Sequence, residues 1–261
     1  MYNYLSIILA IIATVINSSV FGYVARNSKN NKTNRAYLLF LSFVILYIIF
    51  DCIIIQTFSL KESKDIIVKL QAMFWMPLSI FFLNFCHLFI RKKRAKPFYL
   101  FATSTILIIL ITLFSDKILI GFNSFNLGTE GITGPWFLPA TFIGILPAAL
   151  YALYLIGREG KVFYFHKKHI NRQDEPYLSL QLKILFFGSI LCLIIAVSTN
   201  IIFDEILGYS GKPHLASLCI SIQTIFLIPA LLKYNFLKVP IGKLGDELYA
   251  NSSDAVLIIN H

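Results

Sequence analysis

Repeated stretches of about 20 apolar residues constrain this chain more than any other feature. That is the length a helix needs to cross the hydrocarbon core of a bilayer. In order, the stretches run about Tyr4 to Val24, Ala36 to Phe58, Lys69 to Ile90, Pro97 to Phe114, Trp136 to Ile156, Tyr177 to Phe203 and His214 to Phe236. Lipid offers no hydrogen-bond partner to a backbone N–H or C=O, so each stretch must be helical. The expected fold class is all-α integral membrane, a seven-transmembrane-helix bundle. Composition agrees, with 57% hydrophobic and only 14% charged residues, too apolar for an ordinary soluble domain.

The net charge of +10 could point to nucleic acid, but its distribution excludes that reading. The cations sit in short loops: Arg26, Lys29, Lys32 and Arg35 after the first span, Arg91 to Lys96 after the third, and Arg158, Lys161, Lys167, Lys168 and Arg172 after the fifth. The loops between carry few. The positive-inside rule then places the N-terminus outside and the C-terminus in the cytoplasm. Met1-Tyr2-Asn3 carries no cation and the first span is long, so it reads as a retained helix and not a cleaved signal. The segment 115–135 sets Gly121, Gly128, Gly131 and Gly134 among Ile120, Phe122, Phe125 and Ile132, a pattern for a β-hairpin or a lid in an outer loop. Pro77, Pro147 and Pro229 fall inside spans, where each removes a helix hydrogen bond. Cys52, Cys86, Cys192 and Cys219 all lie in apolar runs and read as small fillers without a disulfide.

Polar groups inside a membrane are costly and therefore informative. With the orientation above, Asp51, Gln56, Gln71, Trp75, Trp136, Asn200 and Gln223 all fall in the outer half and could line one ligand cavity. Asp51 is the sharpest of them, the one acidic residue well inside a span. The competing reading is that these groups hold helices together by interhelical hydrogen bonds. Nothing points to catalysis, a cofactor or a metal. His87 and Cys86 are adjacent and point different ways on a helix, while His166 and His169 sit in a basic loop. There is no His-Glu-x-x-His, Gly-x-Ser-x-Gly or Walker A motif.

After the seventh run the hydrophobicity falls. Residues 241–249 form a short amphipathic lead-in. Asn251-Ser252-Ser253-Asp254 is a polar turn, and Val256 to Ile259 looks like a first strand. Tyr234-Asn235-Phe236-Leu237-Lys238-Val239-Pro240, followed by Asp254-Ala255-Val256-Leu257-Ile258-Ile259-Asn260, resembles the junction that ends the N-terminal seven-helix sensor region of bacterial histidine kinases. The same region also precedes diguanylate cyclases. Lys69-Leu70-Gln71 through Trp75-Met76-Pro77 to Phe89-Ile90-Arg91 is similar to the family's third helix, as is the Gly134-Pro135-Trp136 entry to the fifth.

The resemblance implies a membrane sensor over residues 1–236, a linker over 237–250, and the start of a truncated PAS-like cytoplasmic domain over 251–261. It implies an input domain, not itself an enzyme, working as a homodimer in a bacterial inner membrane. A small molecule, lipid or membrane state would act on the outer half. Pro229, Val239 and Pro240 are the candidates for passing the signal from the seventh helix to an output domain of a two-component system. Two alternatives stand beside it: a small-solute transporter or channel-like protein, and a membrane scaffold binding a soluble partner at the basic loops.

Overall fold

The computed structural model describes residues 3–27, 32–56, 61–90, 92–125, 128–160, 162, 178–199, 201–202 and 216–233. The elements are α1 (Asn3–Asn27), α2 (Lys32–Gln56), α3 (Lys61–Trp75), α4 (Leu78–Phe89), α5 (Lys96–Phe114), β1 (Leu119–Phe125), β2 (Gly128–Thr133), α6 (Phe137–Ala140), a π turn (Thr141–Ile145), α7 (Leu146–Glu159), α8 (Leu178–Val197) and α9 (Ala216–Lys233). Six stretches are long and apolar enough to cross a membrane: Ile7–Arg26, Lys32–Ile54, Ile66–Phe89, Lys96–Phe114, Phe137–Glu159 and Ser179–Val197. The apolar part of α9, Leu218–Ile228, is shorter than these six. The architecture is consistent with a multi-pass membrane protein. The tail with Val239, Pro240 and the expected strand lies outside the described residues, and Pro229 is described only as part of the α9 backbone.

The helices form a closed ring. α1 packs on α2, α2 on α3 and α4, α4 on α7, α7 on α8, α8 on α9, and α9 back on α1. α5 lies outside the ring against α3, α4 and the π turn. The ring closes because each helix carries a buried stripe at three- and four-residue spacing. In α1 it is Ala10, Ala13, Asn17, Val20 and Val24, and in α2 it is Tyr37, Leu41, Val44, Ile48 and Asp51. Between α2 and the α3–α4 rod the contact is aromatic. Phe43 meets Phe81 with ring centres 4.5 Å apart, Phe50 meets Phe74 at 4.9 Å and Tyr37 meets Phe85 at 5.0 Å. Such pairs add about 0.5–1.5 kcal/mol each beyond burial.

Two prolines shape the helices. Pro77 cannot donate to the preceding turn, and the rod breaks between α3 and α4 there, restarting with Ile80 N–H and Phe81 N–H on the Pro77 carbonyl. Pro147 follows the π turn at 141–145, where the helix widens ahead of a residue that has no N–H to give. One boundary differs from the sequence expectation. The loop expected before Lys69 is helical from Lys61, because Lys-Glu-Ser-Lys-Asp, though polar, contains nothing that breaks a helix.

The bundle has two distinct ends. At one, β1 and β2 pair antiparallel, with Phe122 opposite Gly131 and Asn123 opposite Glu130. Ile118 and Leu119 enter a core cluster there with Val68 and Ala72 of α3, Met76 just after it, Ile54, Ile108 and Ala140. Gly134 closes this end: its N–H donates to the Ile118 carbonyl at 2.8 Å, and Trp136 N–H donates to the Lys117 carbonyl at 2.9 Å. The other end is basic. Lys92 pairs with Glu159 there, tying the end of α4 to the end of α7, and Arg94 Nε donates to Asn84 Oδ1 at 2.9 Å.

α8 and α9 approach closely at Gly188, where an added Cβ would lie 2.8 Å from Phe226 Cβ. Small residues permit such contacts between membrane helices. Gly188→Ala is expected to lower stability by about 1–3 kcal/mol, the usual cost of overpacking, measured by thermal unfolding in detergent.

Candidate functional site

Asp51 continues the buried stripe of α2 toward the strand end, one turn beyond Tyr47 and three residues past Ile48. That register forces its carboxylate inward, and it is only 2% exposed. Gln71, on the first helical segment of the third span, is 8% exposed, and its Nε2 donates to Asp51 Oδ1 at 3.1 Å. The bond crosses from α2 to α3. An ionised acceptor makes such bonds stronger than neutral ones, and a buried carboxylate needs partners of this kind.

The surroundings are mixed. Trp75 lies one turn after Gln71 and packs against both core clusters, so it sits at the seam between the strand end and the rest of the bundle. Tyr47 is buried one turn before Asp51, and its helix, α2, also packs on α9, which carries Cys219. The carboxylate thus belongs to α2, is bonded to α3 through Gln71, and sits on a helix that also touches α9.

The other residues named from sequence are placed differently. Gln223 is buried in α9, and its Nε2 donates to Ser189 Oγ of α8 at 2.9 Å. That is an interhelical link, the alternative role foreseen for these amides. Trp136 is 54% exposed on the outside of the bundle, with Lys117 Nζ 5.6 Å from its ring centre. Gln56 ends α2 with its side chain outside the described residues, and Asn200 also falls outside them. Of the seven, the described structure joins Asp51 and Gln71 directly.

A second polar centre was not singled out as a site from sequence. Asn17, fully buried, donates from Nδ2 to Ser221 Oγ at 3.1 Å and to the Ala13 carbonyl at 2.8 Å. Thr224 Oγ1 donates to Asn17 Oδ1 at 2.7 Å. This clasp fixes α9 to α1, as Gln223–Ser189 fixes α9 to α8. Its signal was Asn17 itself, an amide in the middle of an alanine-lined stripe. His87, also buried, stands among Phe98 and Tyr151 with ring centres 5.9 and 6.2 Å away, an aromatic setting. Among the described residues no three His, Cys, Asp or Glu side chains gather as a metal site.

No protein-family model, curated protein or solved structure matches this chain.

Proposed function

We propose that the chain is the membrane input domain of a signal-transduction protein, with the basic end in the cytoplasm and α9 as the seventh span. A small molecule, lipid or membrane state acts near Asp51 at the strand end. α9 passes the change through Pro229, Val239 and Pro240 to a cytoplasmic output domain, a histidine kinase in the first instance, in a homodimer of a bacterial inner membrane. The observation that carries this reading is the Asp51–Gln71 pair: a carboxylate buried between two spans, on a helix that also packs on α9. A stimulus can drive α9 only by binding two bundle states with different affinity. A carboxylate bonded between two spans is a group whose solvation such a stimulus could change.

Cys219 gives a native reporter. It is buried in α9, and Cys86, buried in α4, serves as an internal control. Asp51→Asn keeps the shape but removes the charge from the Gln71 bond. In bilayer nanodiscs it is expected to change the alkylation rate of Cys219 by a membrane-permeant maleimide about fivefold or more, the lower range of coupling between sites. Cys86 should be unaffected. Peptide mass spectrometry reads both sites. If Asp51→Asn and Asp51→Ala both leave Cys219 at the wild-type rate, Asp51 does not communicate with α9 and the sensory reading fails. The reading frame after His261 is a second check: a PAS fold and kinase core there supports the proposal, and an immediate stop codon removes it. The transporter alternative needs a polar track across the bilayer, and the apolar runs supply few charged residues for one. Solute flux in proteoliposomes would restore it.

A further inference from the structure

Where α5 ends, its outer face forms one wall of a groove of about 410 Å³. Leu110, Ile111 and Phe114 make the apolar wall, and Ser115, Lys117 and Trp136 make the rim. The volume is in the roughly 300–1,000 Å³ range of small-molecule sites. We propose that this groove binds a phospholipid with a net negative headgroup, its phosphate on the Lys117 ammonium and an acyl chain along Leu110, Ile111 and Phe114.

Level, chemistry and charge favour that occupant. α5 is a span ending at Phe114, so Lys117 lies three residues beyond the hydrocarbon, in the headgroup layer. Phe114 is 84% exposed in the protein alone, an apolar surface that a lipid chain covers at no desolvation cost. Trp136 beside it is an amphipathic ring of the kind that settles at this boundary, and its face steadies the Lys117 ammonium. The neighbouring Asp116 could cancel the lysine's charge, but its carboxylate is committed to Lys69 of α3 at 2.5 Å. The rim therefore presents a positive charge over an apolar trough. Binding there needs only that α5 crosses a bilayer, and it holds whether or not the chain is a sensor.

The chain has two tryptophans, Trp75 and Trp136. In a Trp75→Phe background Trp136 alone reports on the groove. The protein is reconstituted in phosphatidylcholine vesicles containing either dibrominated phosphatidylglycerol or dibrominated phosphatidylcholine, with bromines near the headgroup. Phosphatidylglycerol is expected to quench Trp136 with a relative binding constant about fivefold above phosphatidylcholine, as one basic residue near an anionic surface gives. Adding Lys117→Gln should bring the ratio to about one. Native mass spectrometry of the chain with both tryptophans, and of Lys117→Gln alone, covers the case in which Trp75→Phe folds poorly. Retained phosphatidylglycerol should then be lost with the lysine. Equal quenching by both lipids means ordinary boundary lipid and overturns the proposal. So does the absence of quenching by either, which would mean that a second protein copy covers the groove.

Discussion

Replacing Gly134 with alanine is expected to be among the most damaging small substitutions in the chain. A Cβ there would meet the Lys117 carbonyl oxygen at 2.2 Å, its carbon at 2.5 Å and the Asp116 carbonyl oxygen at 2.6 Å. All three are backbone atoms, and no rotamer change can clear them. The segment must move instead, and it is held by the Gly134 N–H bond to Ile118 and the Trp136 N–H bond to Lys117. Overpacking of about 1–3 kcal/mol and a lost backbone bond of about 1 kcal/mol give a destabilisation of about 2–4 kcal/mol. The control is Gly22→Ala in α1, where nothing lies within 4 Å of the added carbon. That change should be neutral or stabilising by up to about 1 kcal/mol, because alanine is the better helix former. All four cysteines lie in helices and none forms a disulfide, so a thiol-reactive dye follows unfolding of both variants in detergent. Equal melting temperatures for the two would show that the junction between β2 and α6 yields without cost.

Gly134 also illustrates what the amino-acid sequence makes legible. The glycines of 115–135 stand out in the sequence, but the reason for this one is a backbone crossing between residues 17 positions apart. The spans were legible because bilayer thickness sets a length and lipid permits only helix. Helix ends were less so: the polar start of α3 looked like a loop, since nothing in Lys61 to Asp65 needs the bilayer to be helical. Asp51 and Gln71 drew notice as polar groups in apolar runs, and the stripe from Tyr37 to Ile48 even gives the face on which Asp51 falls. Their pairing was not legible, because it depends on the rotation of α3 about its axis. Trp136 shows the same limit. An aromatic residue at a span entrance suits the membrane boundary whether it faces the bundle or the lipid, and only the packing of α5 turns it outward. Ser189, Ser221 and Thr224 gave no signal, since hydroxyls in membrane helices commonly bond to their own backbone, as Thr14 does to Ala10.

The clasp at Asn17 carries the second large expectation. Asn17→Leu keeps the branching and the number of heavy atoms, is somewhat bulkier, and removes every polar contact. It abolishes two bonds between α1 and α9, to Ser221 and from Thr224, and takes one partner from each hydroxyl in a buried seam. Thr224 has a fallback in the Ile220 carbonyl at 3.3 Å, which limits its loss. Interhelical bonds in membranes average about 0.6 kcal/mol and reach about 1.7, so the expected cost is about 1–3 kcal/mol. Asn17→Ala adds a cavity and should cost more. The effect should be concentrated on α9, which polar bonds tie to both neighbours, α1 through Asn17 and α8 through Gln223. Faster alkylation of Cys219, two residues from Ser221, is the local readout, with Cys86 unchanged. Gln223→Leu breaks the bond to Ser189 on the other flank of α9, and the two changes should add within about 0.5 kcal/mol if the flanks act separately. Wild-type stability and a wild-type Cys219 rate in Asn17→Leu would mean that packing alone holds α9 to α1. The polar clasp would then have no part in setting the position of α9 against α1.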